Sequence, residues 1–337
     1  TVVASGTVKG PNVLPHDAAE LRINLPPNWR KADVLYATVK DAAGRELWTW
    51  SWGLKTASDF ARREQQTVGG EIQTRDEGGL LVVQTGLLEL RFSKETGRLS
   101  EVRHIHRRGT VIPFGNGPRF VAFRRSDRTY TDVAGPNSLT HFAWRKEAAE
   151  TIVEANYGGA LRQVRWHIAR GGAVRLDYEY TFDGVVDMIG VQFDVPENEM
   201  KRIRWLGRGP YRIWQNRMQG TRLDVWENNY NDTTPGESWV YPEFKGYFRD
   251  WKWVSIDTTK GRIIISTEAP DSFLGVYKPK DGKNGLLDFP ETGIAFLEVV
   301  PAIRNKFHTT EETGPQSQPQ QVSGVKRGTV HFWFGDR

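Results

Sequence analysis

The chain has 337 residues, 38% hydrophobic and 26% charged, with a formal net charge of +5. That composition describes a globular, soluble protein long enough for one large β domain or two to three smaller ones. The positive charge is scattered in pairs (Arg62-Arg63, Arg107-Arg108, Arg124-Arg125, Lys201-Arg202, Lys326-Arg327), so nucleic acid is excluded as a partner. No apolar run approaches the ~18 residues a membrane span needs, which excludes the membrane as well. A net basic surface remains compatible with an anionic polysaccharide. With Cys at 0, disulfides contribute nothing.

Helical periodicity is nearly absent, and short alternating segments punctuated by Gly and Pro predict an all-β protein. Residues 1 to 57 read as a small sandwich: a strand near Val2–Gly6, a turn at Pro11 to Pro15, a strand over Ala19–Leu25, a Pro26-Pro27 turn, then two strands about Gly44. Its last strand, Leu47 to Trp52, puts Trp48, Trp50 and Trp52 on one face, which predicts a core. Residues 58 to 79 are polar and Gly-rich and read as a connector. From 80 to 337 the strands run on without a second linker. In Leu87 to Phe92, Leu88, Leu90 and Phe92 fall on one face and Glu89 and Arg91 on the other, the period of a half-buried strand. Turn signals such as Lys94-Glu95-Thr96-Gly97 separate the strands. The chain opens at Thr1 without an initiator methionine or a leader, as a piece cut from a longer protein would.

Several of these segments resemble the C-terminal part of the β-galactosidase-like glycoside hydrolases of family 2. Trp205-Leu206-Gly207-Arg208-Gly209-Pro210 and Arg217 match a signature of that region, as do the Gly117-Pro118-Arg119 turn and the stretch from Trp239-Val240-Tyr241-Pro242 to Asp250-Trp251-Lys252-Trp253. Leu90-Arg91-Phe92 followed by Thr96-Gly97-Arg98-Leu99 is similar to its opening hairpin. The resemblance implies a truncated immunoglobulin-like sandwich over 1–57 and, over 80–337, a large antiparallel supersandwich like that of the galactose mutarotases. It also implies that both catalytic glutamates lie in a barrel outside this chain, so that the barrel is a partner. Four departures stand out, one of them the turn Ser126-Asp127-Arg128-Thr129. Tyr211 and Arg212 occupy the place of a His-Glu pair, and Glu243-Phe244-Lys245 that of a Gln-Glu-Asn run. Glu311 to Gln320 stands where the family has a late loop whose Trp reaches the substrate pocket of the barrel.

The segment Arg208 to Trp253 concentrates aromatic rings among Arg, Asn and Glu. Flat rings and planar polar side chains together are what sugar sites use, because rings stack on C–H faces and amides or guanidiniums pair with hydroxyls. The candidates for carbohydrate contact are Arg208, Tyr211, Trp214, Asn216, Arg217, Trp239 and Glu243. The same aromatics also suit a core or an interface with the barrel, and Arg208 also suits a backbone brace. Glu243 and Asp250 are close enough in sequence to approach each other, but no acidic residue has a catalytic context, and no catalytic residue is assigned. His104 and His106 alternate on a strand without a nameable third metal ligand, and His167 lies in no mutarotase-like motif. No Gly-x-Ser-x-Gly elbow and no phosphate-binding Gly loop occur, and neither cofactor nor metal is expected. The resemblance implies a non-catalytic region of a retaining glycoside hydrolase, and the aromatic and polar side chains suit contact with an oligo- or polysaccharide. A stand-alone carbohydrate-binding module is the alternative, followed by a mutarotase-like epimerase. Polysaccharide breakdown by a bacterium implies a periplasmic or extracellular setting.

Overall fold

A computed structural model describes residues 2–64, 70–106, 109–126, 129–229, 246–269, 271–276, 289–304 and 308–335. The chain divides into two compact units, Thr1–Thr56 and Ala57–Arg337.

In the first unit, Val34–Lys40 and Glu46–Gly53 pair antiparallel, from Val34 opposite Gly53 to Lys40 opposite Glu46. Asp41 closes the turn: Oδ1 accepts the N–H groups of Ala43 and Arg45, each at 2.9 Å, and Oδ2 accepts Arg45 Nε at 2.7 Å. These bonds, led by the Arg45 backbone N–H, hold the Asp41 carboxyl below its ordinary pKa. Trp48, Trp50 and Trp52 share a face with Val39, Ala37 and Leu35, as alternation requires. They are 62%, 46% and 48% exposed, so the core expected of them is not formed. Of the sandwich expected over residues 1 to 57, the described residues contain this one two-stranded layer. The strands expected at Val2–Gly6 and Ala19–Leu25 do not form. Alternation supplies a face, but a strand also needs a neighbour to take its backbone hydrogen bonds.

In the second unit, the described residues of 58–79 are more structured than a connector. Ala57–Glu64 is helical, and Phe60 buries its ring against Trp253, stacked at 4.8 Å. Gln73–Glu77 adds an edge strand to Leu80–Gln84. A short helix with one anchoring ring and a polar edge strand leave almost no hydrophobic period to read.

Two large antiparallel sheets follow, and the fold is all-β. Among the described residues, nine strands form the first sheet. In spatial order they are Ser138–Lys146, Glu150–Gly158, Leu161–Ala169, Val174–Thr181, Val325–Gly335, Arg262–Thr267, Trp253–Thr258, Met200–Gly209 and Arg222–Asn229. The second runs Phe273–Val276, Ile294–Val299, Met188–Asp194, Gly115–Ser126, Leu99–His104, Leu88–Ser93, Leu80–Gln84, Gln73–Glu77. The inward faces of both build one core in which Trp166 and Phe193 of opposite sheets both pack on Phe332, at 6.0 and 5.8 Å. Leu88, Leu90 and Phe92 point into it, while outward Arg91 pairs with Glu89 at 2.8 Å. The strand Met188–Asp194 is buried almost throughout because both its faces are covered. Met188 lies in a second cluster with Ile213, Trp214, Tyr247 and Phe289, on the far side from the main core. That cluster is the platform on which the candidate site is built. Among the described residues no helix is long and apolar enough to cross a membrane.

Candidate functional site

The chain leaves the first sheet at Gly209–Pro210, a cis peptide bond, and crosses the second cluster. Ile213 anchors the crossing, since its N–H and C=O exchange 2.8 Å hydrogen bonds with Tyr247. Trp214 then turns inward. It is fully buried, 4.8 Å from Phe289 and edge-on to Tyr247 at 5.6 Å. Its ring therefore has no open face for a sugar, and its assignment as a direct contact is corrected to a core role.

Gln215 and Asn216 tie this crossing to two distant segments. Gln215 donates its backbone N–H to the Pro301 carbonyl and its Nε2 to the Gln318 carbonyl, each at 3.0 Å. Asn216 Nδ2 donates to the Ile303 carbonyl and to Ser317 Oγ, each at 2.8 Å, and Oδ1 accepts the Ile303 N–H at 3.0 Å. Asn216 is thus a strut whose amide hydrogens are both engaged within the protein. The segment it holds contains two single 3-10 turns, Glu311–Thr313 and Pro315–Ser317, hinged at Gly314, whose φ of 105° favours glycine. Gln318 Nε2 locks the hinge by donating to the carbonyls of Glu311 and Gly314, at 3.0 and 3.3 Å.

Between the two segments lies a cleft of about 800 Å³, in the ~300–1,000 Å³ range of small-molecule sites. Tyr211, Arg212, Arg217 and Thr221 line one side, and Gln316, Gln318 and Gln320 the other, with Arg249 also reaching it. Tyr211 is 38% exposed, the one ring of the crossing that reaches solvent. Arg212 is buried, with its guanidinium 5.4 Å from the centre of the Phe248 ring. Arg208 stands outside the lining and braces the backbone: Nε meets Asp250 Oδ2 at 2.9 Å, and a terminal nitrogen donates to the Thr221 carbonyl at 3.2 Å. Asp250 is also 3.7 Å from Arg249, so it is shared between two guanidiniums. Trp239 and Glu243 lie outside the described residues.

The cleft therefore unites Tyr211, Asn216 and Arg217 of the expected set and excludes Trp214 and Arg208 from it. Sequence reasoning left out Arg249, Gln215 and the glutamines of the late segment. The clue to the last was the Pro-Gln alternation of Pro315 to Gln320, where proline stiffens a loop and glutamine offers amides.

Other candidate chemistry is accounted for within the fold. His104 is buried, whereas His106 is exposed and its Nε2 is 2.9 Å from the Gly86 carbonyl, so the two do not form a ligand pair. No cluster of three metal-ligating side chains occurs among the described residues. His167 lies on the outer face of the first sheet, with Nδ1 3.0 Å from Glu150 and Nε2 2.8 Å from Arg175. Burial would raise the Glu89 carboxyl, but hydrogen bonds and charge from Arg91 and Arg75 outweigh it and lower its pKa. A general acid in glycoside hydrolysis needs the opposite shift.

Residues 84–274 of the chain match the family described as the β-galactosidase small chain. The chain belongs to the β-galactosidase small-chain family. The matched stretch carries Arg208, the crossing from Tyr211 to Arg217, and Arg249, whereas Pro315 to Gln320 lies beyond it. A comparison with curated proteins found no match. Three solved structures illustrate what the chain is similar to. A galactose mutarotase-like protein from Lactobacillus casei is 10% identical, with 76% of this chain and 100% of that chain covered and a TM-score of 0.34. YeaD from Salmonella typhimurium is 9% identical, with 83% and 100% covered and a TM-score of 0.35. YidC from Thermotoga maritima is 13% identical with a TM-score of 0.34; the match covers 80% of this chain and 52%, about half, of that one.

Proposed function

We propose that this member of the β-galactosidase small-chain family is the non-catalytic part of a retaining glycoside hydrolase. It packs on a catalytic barrel and supplies one wall of the saccharide site. The setting we propose is exported polysaccharide breakdown in a bacterium.

The observation that carries the reading is the lining of the cleft. Arginine, glutamine and tyrosine are groups that hold sugar hydroxyls and ring faces. Among the described residues no carboxylate lines it, whereas retaining hydrolysis needs two carboxyl groups about 5–5.5 Å apart. Such a surface binds and orients a saccharide but has no acid and no nucleophile to break it.

The test is turnover of nitrophenyl β-glycosides by the purified chain, over neutral and mildly acidic pH. No release above buffer is expected from the chain alone, and release is expected when the barrel-bearing part of the parent is added. Hydrolysis by the chain alone would overturn the proposal.

A further inference from the structure

The charge of the cleft narrows the ligand further. Three guanidiniums line it, Arg212, Arg217 and Arg249, and among the described residues no carboxylate does. Asp250, just outside the lining, sets one negative charge against Arg208 and Arg249 together. Arg217 stands exposed at the rim, and Arg212 adds a buried guanidinium. Among the described residues, Arg208, Arg217 and Arg249 are set against one carboxylate, Asp250, so their surplus is positive, and a cleft lined by one sign of charge concentrates its field inside. A guanidinium fork also matches a planar carboxylate with two parallel hydrogen bonds, which a neutral hydroxyl cannot return. Elsewhere in the lining, the amides of Gln219, Gln316 and Gln320 suit hydroxyl groups around such an anion, whereas those of Gln215 and Gln318 donate within the fold. The acidic residues of the same late segment face other partners: Glu311 pairs with Arg125, and Glu312 accepts the Thr309 N–H at 2.8 Å.

We propose that the cleft selects an acidic saccharide, whose oxyanion (a uronate carboxylate or a sulfate ester) is held by Arg217 and Arg249 while its hydroxyls meet the glutamines. This inference rests on the reading of the cleft as a saccharide site and specifies the class of sugar.

The experiment is titration calorimetry on the 337-residue chain. The probes are a galacturonate trisaccharide, a sulfated galactose trisaccharide, a neutral galactose trisaccharide and inorganic sulfate. An acidic trisaccharide is expected to bind at least about tenfold more tightly than the neutral one, the ratio one charge-assisted hydrogen bond supplies. The preference should weaken with added salt. The uronate and sulfate arms identify which oxyanion is held. Arg217→Ala should abolish the preference and leave neutral binding in place. Gln316→Glu, which adds a negative charge at the opposite rim, should reduce acidic binding only. Equal binding of acidic and neutral trisaccharides would overturn this inference and leave the saccharide reading standing. Binding of none of the sugars would overturn both. Inorganic sulfate binding as tightly as the acidic sugars would overturn the inference in favour of a plain anion site.

Discussion

Asn216 shows how one side chain sets the shape of the cleft. Its amide makes three hydrogen bonds that join the crossing to Ile303 and Ser317. Asn216→Ala leaves the Ile303 N–H and C=O without those partners, and lost hydrogen bonds to buried groups cost about 1–3 kcal/mol. The expected outcome is a loss of that size in denaturant unfolding, with faster proteolysis around Gly314. Unchanged stability and unchanged cleavage would show that the strut is dispensable. The residue type was legible in the sequence, but its role was not. An asparagine that pairs with a sugar and one that pairs with backbone 87 residues away are identical on paper. Trp214 carries the same ambiguity, because a flat ring suits a sugar face and a core equally well.

At the scale of elements, the cleft depends on the Ile213–Tyr247 bridge, and that bridge depends on Gly246. A Cβ added at Gly246 would overlap the Ile213 carbonyl, a backbone atom with no rotamer to escape into. Gly246→Ala should therefore part the bridge, displace Arg212 and Arg249, and lower affinity for any cleft ligand. It should also destabilise the domain by about 1–3 kcal/mol, the usual cost of overpacking. Unfolding curves and ligand titration check both, and a variant with wild-type affinity would contradict this account. The elements themselves were unequally legible. Leu88 to Phe92 alternates because one face is wet, and its strand is plain from the sequence. Met188 to Phe193 does not alternate, since the second cluster covers the face that would have been polar. The helix holding Phe60 was hidden by its brevity. The strands expected over Val2–Gly6 and Ala19–Leu25 had a pattern but no partner to pair with.

For the whole molecule, acid sensitivity follows from buried and paired groups. Burial, reinforced by the charge of Arg175, lowers the pKa of His331, while Asp177 and Glu268 oppose the shift. The unfolded chain, with histidine near 6.5, then binds the proton more readily than the folded one. Its contribution to stability is complete above about pH 6.5 and falls as pH drops below that value toward the lower folded pKa. Glu89, whose pKa is also depressed, adds a second loss as pH falls past the ordinary carboxylate range, near 4. Calorimetric melting temperatures should therefore decline in two stages on acidification. His331→Gln should flatten the first stage alone, and an unaltered first stage in that variant would refute the assignment. The all-β class was legible from alternation and turns, and the large sandwich from the family resemblance. The convergence of Tyr211, Arg217, Arg249 and Gln318 was not, because it arises from packing between segments far apart in the chain.

The placement of Val325–Gly335 in the middle of the first sheet also governs how the protein is made. On one side this strand pairs with Val174–Thr181 and on the other with Arg262–Thr267. A ribosome releases it after every strand it joins. Until then the emerging chain carries two half-sheets with their edges open toward each other, a state prone to sticking to other chains. Completion is a late insertion that closes the gap in one step, so the domain matures after translation of its body. A nonsense codon or protease cut just ahead of Val325 would remove the strand that joins the two half-sheets and forfeit the sheet as a whole.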